Sequence, residues 1–472
     1  MKTDKAKTFD LIVIGTGPAA STVSKKTAES GRSVAVVEAR DYGGTCALRG
    51  CNPKKVYTNA SNLLDRAWGA NGKLATFNQP AIDWSELLKF KREFTEPVRE
   101  SSEGSYQKLG IETFHGTARF SGPESIQVGD LTLSGQRIFI GTGAMPAPLD
   151  IDGAEFITHS DEFLELEHMP PRVLFIGGGY ISMEFSQLVA RYGSSVCVVD
   201  HHPRPLKHFD PDLVDQLVEH SAQFGIEFVG SSKVEAIRKT ADGALEVTVS
   251  KSNRTPNGSD AKKSASINIS KRTIAADLVV HGAGRIPNIA ALNLDAANIQ
   301  HNQRGIEVDQ CMRSKSNPRV FVGGDCADTQ LPRLTPVANE QARVVVKALW
   351  DEACEHQPDY GAIPQVAFTT PCLAAVGLSE WQAREQFDDI DVRSENTSDW
   401  GSVRKDGQAC AGYKVIIDPR TDRILGAHLL GPAADETINL FALALKFDLT
   451  ASDIKSTLFA FPTFASDVRR ML

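Results

Sequence analysis

Two cysteines five residues apart, Cys46 and Cys51, are the residues of this chain whose type and spacing point most directly to chemistry. In an ideal helix, residues i and i+5 have Cα atoms about 8–9 Å apart, which exceeds the reach of about 7 Å that a disulfide tolerates. A bridge therefore needs a distorted helical turn, which Gly50 makes easier and Pro53 favours. A strained bridge at a helix N-terminus is easily reduced, and the helix dipole stabilises the resulting thiolate. We interpret the pair as redox-active.

Two other interpretations of this cysteine pair are more common among proteins in general. Thiols at this spacing are usually inert buried residues, and occasionally they are half of a metal site. No second cluster of Cys or His with ligand spacing follows in the sequence, so we predict no metal site.

Length and composition limit the possible functions. At about 150 residues per domain, 472 residues predict about three domains. A net charge of −8 argues against a nucleic-acid partner. No apolar run approaches the ~18 residues that a membrane span needs, and the polar first eight residues predict no signal peptide. Eight cysteines are too few for a disulfide scaffold, so we expect a cytoplasmic protein.

A dinucleotide fingerprint precedes the cysteine pair. An apolar strand run at 9–14 leads into G-T-G-P-A-A, and a second strand run at 33–37 ends at an acid. The glycines let the backbone approach a pyrophosphate, the helix N-terminus favours its charge, and the acid can accept from ribose hydroxyls. The residues predicted to contact this dinucleotide are Gly15, Gly17, Ala19, Ala20 and Glu38.

The same pattern recurs about 160 residues further on. A strand run at 172–176 leads into G-G-G-Y-I-S, and a strand run at 195–199 ends at an acid. Two such units imply two dinucleotides that are handled in sequence. The residues predicted to contact the second dinucleotide are Gly177, Gly178, Gly179, Ile181 and Asp200.

Three further elements each follow a strand run: the glycine segments at 140–146 and 280–288 and the carboxylate of Asp325. Each is as typical of a crossing between domains as of a binding element. Together they bracket a central insertion in a first domain.

Residues 251–271 are rich in Ser, Asn and Lys, which predicts an exposed loop or hairpin tip. From about residue 347 the pattern favours an α+β domain with antiparallel strands at 368–371, 375–377, 414–418 and 424–430. Its apolar helix at 438–446 indicates a subunit interface.

These motifs resemble those of the class I pyridine nucleotide–disulfide oxidoreductases, the family of glutathione reductase, dihydrolipoamide dehydrogenase and mercuric reductase. The resemblance spans almost the whole chain. It includes G-G-T-C-x4-G-C-x-P-K, both fingerprints, G-x-G-R-x-P-N, G-G-D, L-T-P-V-A and F-T-x-P. It implies an α/β fold with two Rossmann-like domains and a C-terminal α+β dimerisation domain, in a homodimer. The implied boundaries are 1–150 and 277–346 for the FAD-binding domain, 151–276 for the NAD(P)-binding domain and 347–472 for the dimerisation domain.

The resemblance also implies roles for single residues. NAD(P)H reduces FAD, and the reduced flavin opens the Cys46–Cys51 disulfide. Cys51 is implied to be the thiol nearer the flavin, and Cys46 the exposed thiol that attacks a small-molecule substrate. Lys54 and Glu184 match an ion pair beside the flavin, where a cation can stabilise negative charge on the reduced ring.

Further cofactor contacts follow from the same resemblance. Glu38 and Asp325 match contacts to FAD, and Tyr180 matches an aromatic gate over the nicotinamide pocket. The remaining positions implied to lie along the two dinucleotides are Gly44, Thr45, Ala118, Thr142, Gly143, Gly284, Arg285 and Thr335.

The choice between NADH and NADPH stays open at this point. Asp200 lies where a carboxylate holds ribose hydroxyls and repels a 2′-phosphate. His201 and Lys207 occupy positions where NADPH-using relatives carry arginines, which suits a phosphate, although His is only partly charged near neutral pH. The balance leans to NADPH.

The chain departs from the family at its C-terminal end. Disulfide reductases of the family end in His-Pro-Thr-x-x-Glu, whose His protonates the leaving thiolate. Here Phe461 stands in place of the His and Ser466 in place of the Glu. A general acid contributes about 10²–10⁴-fold in rate, so exchange with a thiol disulfide is expected to be handicapped. No histidine obviously substitutes, and we interpret His428 as structural.

Three functions are therefore weighed. The first is an NAD(P)H-dependent reductase of a small disulfide such as glutathione disulfide. The second keeps the flavin and dithiol but passes electrons to a metal ion, a quinone or an oxidant, which needs no proton delivery to a leaving thiolate. The third is a flavoprotein that senses redox state without turnover.

Overall fold

The structure is a computed structural model that describes residues 7–252, 269–351 and 353–472. The chain divides into two compact units. The first unit consists of Met1–Lys54, Phe90–Ala147 and Arg285–Tyr360, and the second consists of Lys55–Lys89, Pro148–Gly284 and Gly361–Leu472. The three-domain boundaries implied by the resemblance stay a prediction.

The strands and helices are numbered in chain order. The strands are β1 (Lys7–Ile14), β2 (Val34–Glu38), β3 (Glu112–His115), β4 (Ala118–Gly122), β5 (Ser125–Val128), β6 (Leu131–Ile140), β7 (Ala144–Pro146), β8 (Ile157–Thr158), β9 (Arg172–Ile176), β10 (Ser195–Val199), β11 (Ile226–Val229), β12 (Ser232–Lys239), β13 (Leu245–Ser252), β14 (Ile269–Ala276), β15 (Leu278–His281), β16 (Arg285–Pro287), β17 (His301–Asn302), β18 (Gly305–Glu307), β19 (Val320–Val322), β20 (Ala327–Asp328), β21 (Gln365–Ala367), β22 (Cys372–Gly377), β23 (Asp391–Asn396), β24 (Gly412–Asp418) and β25 (Arg423–Gly431). The α-helices are α1 (Pro18–Glu29), α2 (Gly44–Arg49), α3 (Cys51–Ala70), α4 (Trp84–Gln107), α5 (Ser160–Phe163), α6 (Tyr180–Tyr192), α7 (Pro211–Ala222), α8 (Thr335–Ala348), α9 (Glu380–Gln386), α10 (Gly401–Arg404), α11 (Ala434–Lys446), α12 (Ala451–Ser456) and α13 (Phe464–Met471).

The main sheet of the first unit has the strand order β3-β2-β1-β6-β5-β4, and β19 pairs with β6. The pairings of β1 with β2 and β6, of β2 with β3 and of β6 with β19 are parallel. Parallel strands are covered on both faces and therefore read as continuous apolar runs. Leu11, Ile12 and Val13 of β1 are accordingly fully buried. The strand runs predicted at 9–14 and 33–37 are confirmed.

Helix α1 follows β1 directly and starts with Pro18 at its first position, where a missing N–H costs nothing. The helix packs along α8. Its residues Ala19, Ala20 and Val23 join the core of this unit.

The second unit contains a five-stranded parallel sheet in the order β11-β10-β9-β15-β8. Its strands β9 and β10 coincide with the predicted runs at 172–176 and 195–199. Strands β12, β13 and β14 form a separate antiparallel sheet, and they come between β11 and β15 in the sequence. The loop prediction at 251–271 is wrong at both ends, since residues 251–252 lie in β13 and residues 269–271 lie in β14. Its residues 253–268 lie outside the described residues.

The C-terminal part of the second unit is an antiparallel sheet in the order β21-β22-β25-β24-β23. The antiparallel strands predicted near 375–377, 414–418 and 424–430 are confirmed, as is the helix at 438–446, which lies within α11. Residues 368–371 are not a strand, because β21 ends at Ala367. None of the helices in the described ranges combines the length and apolar character needed to cross a bilayer.

Candidate redox site and dinucleotide-binding loops

The cysteine segment is broken where its spacing predicts a break. Helix α2 ends at Arg49 and helix α3 begins at Cys51. Gly50 between them has φ −134° and ψ −120°, outside the helical region. The two cysteines therefore belong to successive helices, and the helical spacing that would hold their sulfurs apart does not apply to them.

The two thiols are present as a hydrogen-bonded dithiol. Cys46 is half-buried and Cys51 is exposed. The hydrogen bond from Cys51 raises the pKa of Cys46 above its usual range, and burial adds to that rise. Thr335 Oγ1 lies 3.3 Å from Cys46 Sγ and acts in the opposite direction. Cys51 and burial therefore disfavour the Cys46 thiolate, whereas the Thr335 hydroxyl favours it.

The exposure of the two thiols is the reverse of the expectation that Cys46 is the exposed one. Cys51 is the first residue of α3, so its side chain stands at an open helix end, whereas Cys46 lies within α2 and faces Thr335. Which sulfur lies nearer the flavin stays a prediction.

The cysteine segment lies directly on the first glycine loop. A Cβ atom on Gly44, which has φ +71°, would lie 2.5 Å from Gly17 Cα, so only glycine allows this approach. The Gly43 N–H donates to Thr16 Oγ1 at 3.1 Å, and Thr16 donates to Glu38 Oε2 at 2.6 Å. Thr16 was not predicted as a site residue, although its position between the two fingerprint glycines was a signal for it. The dithiol and the fingerprint acid are thus tied to one loop.

Several features of this loop fit a dinucleotide. Gly15 and Gly17 flank the turn before α1, and Gly17 is the residue that caps the helix. Thr142 Oγ1 is buried beside the Cys326 thiol, whose pKa the Thr142 hydroxyl lowers against the opposing effect of burial. Burial raises the pKa of Asp325, while the cations Arg333 and Arg285 oppose that rise. A buried hydroxyl and a buried carboxyl can form hydrogen bonds with ribose hydroxyls. The N-terminus of a helix favours a pyrophosphate group.

The other positions of the first unit that were predicted to contact a cofactor lie in α2, in β4 and around β7 and β16. Ala118 is buried at the start of β4, and Thr45 is exposed in α2. Gly143 turns the chain with φ +67° before β7. The Arg285 guanidinium donates to the Ala144 carbonyl at 2.5 Å across the β7–β16 pair. Their contacts with a cofactor stay predictions.

The second glycine loop is organised by Asp200. Its Oδ2 accepts from the Gly178 N–H at 2.5 Å, and its Oδ1 accepts from the His202 N–H at 2.8 Å. A Cβ on Gly178 would lie 2.7 Å from Asp200 Oδ2, which explains the glycine at this position. Asp200, the fingerprint acid that follows β10, therefore also stabilises the glycine loop before α6.

The residues around this loop fit a second dinucleotide. Gly177 has φ +92°, Gly179 caps α6, and Ser182 Oγ is buried with no partner among the described residues. Tyr180 donates to Gln365 Oε1 at 3.2 Å, and burial raises the Tyr180 pKa. The half-buried Ile181 and the turn at Gly284 (φ +104°) complete the predicted set.

The charged side chains beyond Asp200 do not decide between NADH and NADPH. His201 is exposed, with Nδ1 3.2 Å from Asp200 Oδ1, and Lys207 is exposed. Arg204 is paired with Asp215 at 2.6 Å. The cations that could accept a 2′-phosphate thus stand beside a carboxylate that would repel it.

Glu184 forms an ion pair that the sequence patterns did not predict. Its Oε2 lies 2.9 Å from Lys55 Nζ, with the Glu184 side chain 1% exposed and that of Lys55 32% exposed. The Phe368 N–H donates to Oε1 at 3.1 Å, and Lys55 Nζ lies 3.4 Å from the centre of the Phe368 ring. Lys55 follows Cys51 by four residues on α3, a spacing that puts both on one helix face and could have identified it. The predicted pairing of Glu184 with Lys54 stays a prediction.

Phe461 and Ser466, which replace the His and Glu of the family's C-terminal motif, lie in the following surroundings. Phe461 is 87% exposed. Ser466 takes part in a capping box with Thr463 at the start of α13, with hydrogen bonds of 3.1 and 3.2 Å. His428 is buried in β25 with Nε2 3.1 Å from the Leu378 carbonyl, and burial lowers its pKa. Its Nδ1 is buried with no hydrogen-bond partner among the described residues, so the structural interpretation of His428 stays a prediction.

A second cysteine pair was not predicted. Cys311 and Cys354 form a disulfide with a Cα–Cα distance of 5.8 Å. They are 43 residues apart in the sequence, and no local motif links them.

Two glycine-loop parallel sheets and a dithiol set on one of the loops define a pyridine-nucleotide flavoprotein of the disulfide oxidoreductase class. Residues 9–342 match the family model for pyridine nucleotide-disulphide oxidoreductases, and residues 363–472 match that for the family's dimerisation domain. The chain belongs to this family. The predicted fold class is confirmed: two Rossmann-like sheets and a C-terminal dimerisation domain.

The chain is similar to relatives with different acceptors. It is 30% identical over 467 residues to the glutathione reductase of Burkholderia cepacia, covering 97% of each chain. It is 27% identical over 464 residues to the mercuric reductase of Staphylococcus aureus, covering 98% of this chain and 81% of that protein. Among solved structures, it resembles the Cu(II) complex of the HOCl-induced flavoprotein disulfide reductase RclA from Escherichia coli. That match has a TM-score of 0.84 at 25% identity and covers 98% of this chain and 99% of that chain.

The comparisons establish the general activity and the cofactors. The chain is an oxidoreductase of a family that uses FAD and NAD(P)H. The names of its relatives cover a thiol disulfide and a metal ion as acceptors, so family membership does not select one of them.

Proposed function

We propose that the chain is an NAD(P)H-dependent reductase in which the Cys46/Cys51 dithiol reduces a small disulfide such as glutathione disulfide. The observation that carries the proposal is the dithiol itself, hydrogen-bonded across the break at Gly50 and seated on the Gly17 loop. Bound FAD would supply the two-electron redox chemistry that links NAD(P)H to the Cys46–Cys51 disulfide.

The proposed exchange uses the two sulfurs in sequence. The Cys46 thiolate attacks one sulfur of the substrate, which forms a mixed disulfide and releases the first thiolate. Cys51 then attacks Cys46 Sγ, which closes the Cys46–Cys51 disulfide and releases the second thiolate. The Thr335 hydroxyl, 3.3 Å from Cys46 Sγ, can donate to the attacking thiolate and lowers its pKa against the opposing effect of Cys51.

The proposed cofactor contacts follow the two loops. The first loop, with Glu38, Thr142 and Asp325, is proposed to hold FAD, supported by the buried Thr142 hydroxyl and the buried Asp325 carboxyl. The second loop, with Tyr180 and Asp200, is proposed to hold NAD(P)H, with a preference for NADPH through His201 and Lys207. Lys54 and Glu184 are proposed to act at the flavin, as the family resemblance implies.

A second candidate acceptor is favoured by the C-terminal motif. With Phe461 in place of a general acid and Ser466 engaged in a helix cap, nothing at these positions can protonate a leaving thiolate. A soft metal ion, a quinone or a reactive oxidant needs no such proton. The S. aureus relative is a mercuric reductase, and the E. coli structure is a Cu(II) complex.

We further propose a cytoplasmic homodimer. The family's dimerisation domain supports the dimer. Large apolar side chains near the C-terminus support it as well, since Phe447 is 66% exposed and Leu458 is 91% exposed. Exposed apolar side chains of this size in one region are typical of a protein interface.

An acceptor panel tests the proposal. Purified protein is assayed with NADH and NADPH against glutathione disulfide, lipoamide, Hg²⁺, Cu²⁺ and a quinone, beside a Cys46→Ser variant. Turnover of a disulfide that Cys46→Ser abolishes supports the proposal. Cys46-dependent turnover confined to metal ions, the quinone or oxidants selects the second candidate. Turnover that is equal in the two proteins refutes a dithiol route.

A further inference from the structure

The disulfide between Cys311 and Cys354 has no part in the proposed electron path. We propose that it is a second thiol–disulfide couple that exchanges with small thiols and disulfides and controls how tightly the first unit retains FAD. The inference rests on the proposed FAD contacts of Asp325 and Thr335 but not on the identity of the acceptor.

The two sulfurs differ in accessibility. Cys311 is fully buried, whereas Cys354 is half-buried at the edge of the same core. An external thiolate therefore reaches Cys354 Sγ, and Cys311 is the leaving thiol. The order of attack is set by access, as in other exchange reactions.

Both redox states of Cys311 are accommodated. The Cys311 N–H donates to Asp309 Oδ1 at 2.8 Å, which holds the residue in place in either state. Its Sγ lies 3.0 Å from the His356 carbonyl oxygen, so the thiol formed on reduction has an acceptor ready. Reduction therefore leaves no unsatisfied buried donor at Cys311.

The backbone at Cys354 favours opening. Its φ is +52°, in the left-handed region that residues other than glycine and asparagine rarely adopt. Cleavage of the disulfide removes one covalent constraint on this backbone conformation. The movable end of the pair is therefore also the accessible end.

The bond closes a loop that carries the proposed flavin contacts. The 43-residue separation encloses β19, Asp325 and helix α8 with Thr335 at its start. Gln341 of α8 accepts from the Gly324 N–H at 2.7 Å, which ties the helix to the Asp325 turn. A covalent closure of this length restricts the open conformations of the segment, so the closed form retains FAD longer.

The exchange balances without another reactant. In reduction, the thiolate of a small thiol attacks Cys354 Sγ, forms a mixed disulfide and releases Cys311. A second small thiol attacks the mixed disulfide, which leaves two protein thiols and one small disulfide. Oxidation is the reverse reaction and uses that small disulfide as the oxidant.

The test equilibrates the FAD-loaded protein in glutathione buffers of graded ratio. Differential alkylation and mass spectrometry read Cys311 and Cys354 separately, and flavin fluorescence reads the rate of FAD loss on dilution. We expect the two cysteines to change together while the protein stays folded. We expect reduced protein to lose FAD about tenfold faster, since part of the loop-closure effect is expressed in the folded state.

Two variants serve as controls. Cys354→Ser is expected to lose FAD at the rate of reduced wild-type protein in every buffer, which separates this pair from Cys46 and Cys51, since those still respond. Cys197→Ala removes a buried thiol whose pKa burial raises to about 12, and it should behave as wild type. If Cys354→Ser does not fold, the wild-type comparison between buffers still decides.

Three results overturn the proposal. The pair stays bonded until the protein unfolds, or FAD loss is equal in oxidised and reduced wild type. Alternatively, the reduced pair is found capped by a metal that blocks exchange, since Asp309 and the two sulfurs lie within 4.8 Å of one another. A failed acceptor panel, in contrast, would refute the proposed function and leave this inference standing.

Discussion

Cys46 Sγ lies 3.3 Å from the hydroxyl of Thr335, the first residue of helix α8. The contact joins the redox segment to a helix 289 residues further along the chain. Cys51 raises the pKa of Cys46 and Thr335 lowers it. The reactivity of Cys46 is therefore balanced between its partner thiol and one hydroxyl group.

Replacing Thr335 with valine is predicted to raise the pKa of Cys46 further. The hydroxyl that stabilises the thiolate is lost while the shape of the side chain is kept. Alkylation of Cys46 in the reduced protein should slow about tenfold at neutral pH, the effect of one lost hydrogen bond to a charged group. The inflection of the alkylation rate should move to higher pH. Thr335→Ser should retain the wild-type profile, and an unchanged profile in Thr335→Val would show that the contact has no role.

The Lys55–Glu184 pair is predicted to be a stability element of the second unit. Glu184 is almost fully buried, so removing Lys55 takes away a cation 2.9 Å from a buried carboxylate. A double-mutant cycle of Lys55→Met and Glu184→Gln, followed by urea unfolding, should give a coupling energy of about 1–3 kcal/mol. Lys54→Met is the matched variant one residue away. It is expected to act mainly on the rate of flavin reduction, and the reverse assignment of the two lysines would contradict this prediction.

The parts of the site that were predictable are those encoded by contiguous residues. The cysteine segment and both glycine fingerprints carry their own strand, turn and helix, so Glu38, Asp200 and the break at Gly50 follow from local patterns. Pairings over long separations were not predictable in this way. The disulfide of Cys311 with Cys354 bridges 43 residues.

A buried ion pair illustrates the same limit. Arg191 of α6 donates through Nε to Asp65 of α3 at 3.1 Å, and the Arg191 side chain is fully buried. The two residues are 126 positions apart. Local sequence patterns around either residue do not show that these two helices meet. Lys55 was missed for a different reason, since it adjoins Lys54 and only the helical register separates the two.

Asp325 is predicted to lower the stability of the protein stripped of FAD. Burial raises its pKa above the ordinary 3.8. Between that value and the raised one, the folded chain binds more protons than the unfolded chain, so stability falls as pH rises through this window. Asp325→Asn should remove this fall and be more stable than wild type at neutral pH, while it binds FAD more weakly. Thermal melts across pH check the first effect and flavin titration the second. A variant less stable than wild type at neutral pH would contradict the prediction.

Phe461→His is predicted to restore proton delivery to a leaving thiolate. Because acid–base catalysis contributes about 10²–10⁴-fold, turnover of a small disulfide should rise at least about tenfold. Reduction of a metal ion or quinone should stay unchanged. Phe461→Tyr serves as the control for altered packing, and equal gains in both variants would exclude an acid–base explanation.

The most direct test of the account counts thiols during anaerobic reduction. Oxidised, FAD-loaded protein is treated with NADPH or NADH, and new thiols are located by alkylation and mass spectrometry. We expect two new thiols, at Cys46 and Cys51, which disappear again when the acceptor is added. Acceptor reduction that proceeds while both sulfurs stay in their disulfide would contradict it.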